Sequence, residues 1–175
     1  MTSQLTRQQI AIVKPIHEYQ AGLKNSPDSE FPKRIEDLRE DLFRKAQSPS
    51  EIAVAALALS REAIQRVLGM GLYDVQLLDA NALIQKHVAE MATGEGKTIS
   101  AAPAAVFGGI MSGGTHVATP NNYLAKRDCE QLSPVFEFLG LNTGLLDMDE
   151  NIDKNDAYAC DITYGPGYEL SLIHI

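Results

Sequence analysis

Glu90-Met91-Ala92-Thr93-Gly94-Glu95-Gly96-Lys97-Thr98 decides how the chain is read, because its glycines, lysine and threonine are spaced as a phosphate cradle. Gly94 and Gly96 can take backbone angles closed to other residues, so successive backbone N–H groups can turn inward around an anion. Lys97 adds a point charge. The apolar-rich segment from Thr98 onward predicts a helix whose N-terminal dipole and free N–H groups favour the same anion. The Thr98 hydroxyl is then placed for a magnesium ion. The plain alternative is a glycine-rich turn ahead of a helix. Context argues against it, since His87 to Met91 reads as a short strand before the loop and an apolar helix follows.

The strict pattern is G-x-x-x-x-G-K-[ST], and Met91 stands where its first glycine belongs. The stretch is similar instead to the x-x-T-G-x-G-K-T variant of helicase-like motors, in which Thr93 and Gly94 shape the loop.

With 175 residues, 45% of them hydrophobic, the chain is long enough for one domain with a real core. The net charge of -8 and pI near 4.9 count against nucleic acid, because an acidic surface repels phosphates unless a basic groove compensates. A protein or small molecule is the expected partner. Cys129 and Cys160 are far apart with no C-x-x-C spacing, so neither a zinc site nor a disulfide framework is expected, and both read as buried thiols in a reducing cytoplasm. Met1 to Ile10 is polar where an export signal needs an apolar core. The longest apolar-leaning stretch, Ile99 to Met111, is too short to span a bilayer, which leaves only peripheral membrane contact.

Before the loop the chain reads as helices. Gln4 to Leu23 has apolar residues at mostly helical spacing, with Pro15 predicting a break near Lys14. Pro32 opens a second amphipathic helix with Ile35, Leu38, Leu42 and Phe43 on one side and a charged face from Lys33 to Asp41 on the other, read as solvated. Ser48-Pro49-Ser50-Glu51 is a capping box that starts a long helix to Leu68, ended by Gly69 and Gly71. Tyr73 to Lys86 resumes helical spacing.

After the loop and its helix, Gly113-Gly114 is a break and Thr115 to Thr119 a strand. Asn121 caps a helix toward Leu139. Asn142 to Leu146 is a strand, Asp147 to Asp156 an acidic loop and Ala159 to Tyr164 a strand. Strands alternating with helices predict an α/β fold, a parallel sheet with helices on both faces preceded by N-terminal helices.

Four motifs in order now carry a resemblance. They are Gly69-Met70-x-x-Tyr73-Asp74-Val75-Gln76-Leu77-Leu78, then Ala89 to Thr98, then Thr119-x-Asn121-x-Tyr123-Leu124-Ala125-x-Arg127-Asp128 with Phe136 to Leu141, and Asp161-Ile162-Thr163-Tyr164-Gly165. Across residues 50 to 169 the chain resembles the SecA family of preprotein translocase motor ATPases. The resemblance implies an incomplete RecA-like domain at 71–169, the first nucleotide-binding domain, preceded by a helical region at 1–70. It implies ATP or ADP with Mg2+ as ligands, bound by Gln76, Thr93, Gly94, Glu95, Gly96, Lys97 and Thr98. Lys97 and Thr98 are the catalytic candidates, Thr98 the metal ligand, and Gln76 the partner of adenine, whose edge a primary amide can meet with one donor and one acceptor. For the full-length family it implies export of unfolded preproteins through a membrane channel, contact with anionic lipids, no specific nucleic acid, and a place in the cytoplasm against the inner face of the cell membrane. A nucleic-acid helicase of the same superfamily and a non-enzymatic docking module are the alternatives.

The sequence also departs from the family pattern. Gly71-Leu72 stand where Arg-His is usual, Asp79-Ala80 where two glycines are usual, and Asn122 where an aspartate is common. Lys126 and Arg127 resemble a coupling region, although the residues alone read as a solvated helix face. No D-E-x-D pair follows an apolar strand, and Asp147, Asp149 and Glu150 sit in a polar run. His17, His87, His116 and His174 share no ligand spacing. The pattern holds through Glu169. Residues 170–175, Leu-Ser-Leu-Ile-His-Ile, are the translation of the end of a transposon-derived sequencing adapter, so the expectation there is a non-native tail, with a short strand as the alternative.

Overall fold

The structure is a computed structural model and describes residues 10–146 and 154–171. Its elements are α1 (Val13–Leu23), α2 (Glu30–Arg44), α3 (Pro49–Leu68), α4 (Asp74–Ile84), α5 (Lys97–Ser112), β1 (Thr115–Thr119), α6 (Asn122–Phe138), β2 (Thr143–Leu145), α7 (Lys154–Tyr158), β3 (Ile162–Pro166) and α8 (Gly167–Ser171). The break expected near Lys14 is the start of α1, whose first turn holds Pro15, where a missing N–H costs little. Residues 4–9, also read as helix, lie outside the described residues, as do 147–153 of the acidic loop expected over Asp147 to Asp156, whose last three residues open α7 instead.

Local signals place the long helices. The Glu51 N–H donates to Ser48 Oγ at 3.3 Å and the Ser48 N–H to Glu51 Oε2 at 2.8 Å, so the capping box closes as the sequence predicts. Gly69 ends α3 in the left-handed region at φ 67°. The alanines of α3 bury Ala55, Ala56, Ala58 and Ala63, and α3 touches α1, α5 and α6, which makes it the central helix. Asn121 caps α6, its Oδ1 accepting from the Leu124 N–H at 2.9 Å.

Strands β1, β3 and β2 lie side by side in that order, all parallel, with Thr115 and Thr143 both level with Ile162. Every residue of β3 is buried. Because neighbours along a strand point to opposite faces, both faces of the sheet must be covered. On one face the Tyr164 ring lies 6.4 Å from Phe136 of α6. On the other Thr163 Oγ1 donates to Ala157 O of α7 at 2.8 Å. One apolar cluster runs from Ile16 of α1 through α3 and α5 to Ile162 and Tyr164 of β3. Among the described residues no helix is long and apolar enough to cross a membrane.

Five expectations are corrected. Residues 87–91 form no strand, because no other strand among the described residues lies beside them to take their N–H and C=O groups, and Val88 is 98% exposed. Phe43 is 91% exposed instead of joining the apolar side of α2. It follows Leu42 directly and so points about 100° away from the Ile35–Leu38 face. Arg39 leaves the charged face of α2 to donate to Asp161 Oδ1 at 2.5 Å and Gly109 O at 3.5 Å, while Asp161 Oδ2 accepts the Asn142 N–H at 2.8 Å. Cys160 is half-buried, unlike the buried Cys129; burial pushes both thiols above the usual range. In the tail, Leu170 and Ser171 close α8 and start no strand, and residues 172–175 lie outside the described residues.

Candidate functional site

The loop from Met91 to Gly96 turns on its two glycines. Gly94 has φ 88° and Gly96 φ 81°, both in the region closed to most side chains. A Cβ on Gly96 would also come within 2.7 Å of Gln76 Nε2. The Ala92 N–H donates to Glu95 Oε2 at 2.8 Å, so the Glu95 carboxylate braces the loop from within. Thr93 is exposed at the turn, and Met91, in place of the strict pattern's first glycine, is buried beneath it.

Helix α5 begins at Lys97 with glycine as its N-cap, no side-chain cap and no acidic residue in its first turn. Helix N-termini normally recruit Ser, Asp or Glu, since four N–H groups and a partial positive charge collect there. Here the chain places a cation at the first position instead, exposed and without an ion pair among the described residues. Lys97 and the helix end therefore repel one another, and an anion between them would relieve both. That is the electrostatic content of a phosphate site.

Gln76 is 8% exposed in the first turn of α4. Its Oε1 accepts the Tyr73 N–H and its Nε2 donates to Glu95 O, each at 3.0 Å. An amide has a second lone pair and a second proton, so each end keeps one position for a base edge. A cleft of about 310 Å³ lined by Tyr73, Val75, Gln76, Gly94, Glu95 and Gly96 lies where those positions open. A second space of about 200 Å³, lined by Asp79, Leu83, Ala89, Met91, Lys97 and Ala101, lies behind the loop. His17 Nε2 sits 2.7 Å from Asp74 Oδ1 and 2.9 Å from Arg61 Nη1, tying the start of α4 to α1 and α3.

Thr98 is half-buried, and its hydroxyl donates to Asp128 Oδ2 at 3.4 Å. Asp128 in turn takes Arg127 Nη2 at 2.6 Å and Nε at 2.8 Å on its other oxygen. Asp128 is the residue that sequence reasoning missed. It stood in a quoted motif, but nothing local to α6 signals an approach to a hydroxyl 30 positions earlier. Among the described residues no three His, Cys, Asp or Glu side chains gather for a metal. One hydroxyl with one carboxylate behind it fits magnesium, which takes few protein ligands and relies on phosphate and water for the rest.

The motif-bearing loop, its helix and the parallel sheet coincide with a known family: the SecA DEAD-like domain matches residues 1–174. The chain belongs to the SecA DEAD-like domain family. Its fold is accordingly the RecA-like α/β arrangement, with the three parallel strands as the described part of its sheet. The chain is 38% identical over 167 residues to the protein translocase subunit SecA of Clostridium novyi, covering 95% of this chain and 20% of that protein. It is 41% identical over 155 residues to the SecA of Finegoldia magna, covering 88% and 17%. With the protein translocase subunit SecA 2 of Bacillus thuringiensis the identity is 39% over 165 residues, covering 94% and 21%. The chain thus spans about a fifth of the length of these SecA relatives.

Proposed function

We propose that this chain is the ATP-binding portion of a SecA motor that couples ATP hydrolysis to export of unfolded preproteins through a membrane channel. The observation that carries the reading is Lys97 at an uncapped, acid-free helix start behind two positive-φ glycines. In this reading 71–169 is part of the first nucleotide-binding domain, with 1–70 as helices packed on it. The whole protein works at the cytoplasmic face of the membrane and meets preprotein, channel and anionic lipid there.

The loop N–H groups and Lys97 hold the phosphates of ATP or ADP, while Gly94 and Gly96 let the backbone close around them. Thr93 and Glu95 keep the loop shape. Gln76 reads adenine from the cleft beside Tyr73. Thr98 would supply its hydroxyl oxygen to Mg2+, and Asp128, which accepts the hydrogen bond of that hydroxyl, would hold its orientation. Magnesium, when bound, neutralises charge on the phosphates.

Calorimetry with Mg-ADP tests this: the parent chain binds and Lys97→Ala binds about thirtyfold more weakly. Equal binding by the two would overturn the phosphate-site assignment. The chain alone is expected to show no ATP turnover, because hydrolysis also needs a water-positioning acid and a charge from a second domain, worth about 10³ to 10⁵ in rate in related enzymes. Lys97-dependent hydrolysis at the rate of a full motor would refute that.

A further inference from the structure

Gln76 and Asp79 are three residues apart on α4 and so share one face. Both reach the segment that carries the loop, on either side of the helix start. Gln76 Nε2 donates to Glu95 O, ahead of Gly96, at 3.0 Å. Asp79 Oδ2 accepts the Ser100 O–H, one turn into α5, at 2.6 Å. Ser100 is fully buried, and its single proton has three acceptors in range: Asp79, Lys97 O at 3.0 Å and Met91 Sδ at 3.3 Å. The nearest acceptor is also the charged one, and a charge-assisted bond is the stronger. Among the described residues no cation pairs with Asp79, so this hydroxyl is the bond that orients its carboxylate.

We infer that Asp79, acting through Ser100, is a positioning residue that fixes the distance between the Gln76 amide and the phosphate loop. The inference rests on the nucleotide reading above. Helix α4 already packs closely along α5, with Leu77 and Ala80 fully buried, but apolar contact leaves the fine register of the two helices loosely set, and the hydrogen bond at Glu95 fixes it at one point only. A second, one helical turn away, removes that freedom and holds the adenine-reading amide at a set span from the N–H groups that start α5. Recognition of a base depends on that span, whereas recognition of phosphates depends on the loop alone.

The test compares ADP, GDP and inorganic tripolyphosphate on the same chain. Asp79→Ala is expected to lower the preference for ADP over GDP by about tenfold, the low end for one charge-assisted hydrogen bond, with tripolyphosphate binding unchanged. Ser100→Ala should reproduce this, and the double variant should lose no more than either single one. Asp79→Asn keeps an acceptor oxygen and should restore the preference. Equal weakening of all three ligands would assign Asp79 to general stability and overturn the inference, as would an Asp79→Ala variant with parental preference. A parent chain that binds tripolyphosphate but does not distinguish ADP from GDP sinks the Gln76 assignment and this inference with it. A parent that prefers ADP, with variants that also do, sinks this inference alone.

Discussion

Arg66 and Lys97 are two cations at opposite extremes of satisfaction. Arg66, on α3, donates from Nε to Glu62 at 2.9 Å, from Nη1 to Asp28 at 2.7 Å and Ser26 O at 2.8 Å, and from Nη2 to Leu23 O at 2.9 Å and Lys24 O at 3.3 Å. Its guanidinium carbon also lies 4.7 Å over the Phe31 ring. It ties off the carbonyls where α1 ends, holding the turn between α1 and α2 against α3. Lys97 has none of this, and its helix gives it no carboxylate. A cation that has spent every donor is a structural element. One left unspent at a positive helix end keeps its donors open to an anion.

Each substitution that follows should move one side of that contrast and leave the other still. Arg66→Ala takes the cation from the Glu62 carboxylate, whose side chain is only 10% exposed and keeps the Gln20 amide, and should cost about 3 kcal/mol in urea unfolding, as broken buried pairs do. ADP affinity, measured where both proteins are folded, should not change. Lys97→Ala is the mirror image, with ADP affinity down about thirtyfold, equivalent to about 2 kcal/mol, and unfolding within about 0.5 kcal/mol of the parent. A Lys97 variant that unfolds early, or an Arg66 variant that stays stable but stops binding, would erase the distinction.

Gly96→Ala touches both sides. The positive φ should cost about 1 kcal/mol of stability, and the methyl group displaces Gln76 from the loop, so nucleotide binding falls as well. Ser48→Ala, far from the loop, should cost about 1 kcal/mol by thermal melting and leave ADP binding alone. Its partner Glu51 has a carboxyl pKa lowered first by the Ser48 side chain and then by the Ser48 backbone N–H. A depressed folded pKa means that the stabilisation is complete above the ordinary value near 4.5 and is lost as pH falls through the lower folded value. The melting gap between parent and Glu51→Gln should therefore narrow on acidification below that point. A gap that widens would show that the carboxylate is not held by the cap.

What the sequence disclosed and what it withheld divide along the same line. The glycine conformations, the Ser48 box, the Asn121 cap and the bounds of β1 depend on residues within four positions of one another, and those readings hold. The strand expected at residues 87–91 needed a neighbour to pair with, which no local pattern can supply. Phe43 was grouped with Leu42 by hydrophobicity although their directions differ by a quarter turn or more. Arg39 to Asp161 and Thr98 to Asp128 join positions 122 and 30 apart, so the arginine of a face read as solvated and the partner of one motif acid showed only once the fold was in view. At the candidate site the loop could be read from its residues, but Gln76 entered only through resemblance, and its bond to Glu95 was invisible.

The strand order has a consequence for synthesis. Among the described strands, β1 and β2 each pair only with β3, which comes last of the three in the chain and lies between them in the sheet. A ribosome adding about 5 to 20 residues per second would release α1 to α6 and both outer strands before any ladder bond of this described sheet could form. During that interval the helices must shelter the apolar faces that β3 later shares, and Arg39 waits for a carboxylate 122 residues downstream. Helices α1 to α6 thus leave the ribosome ahead of β3, the strand that joins β1 and β2 into one sheet.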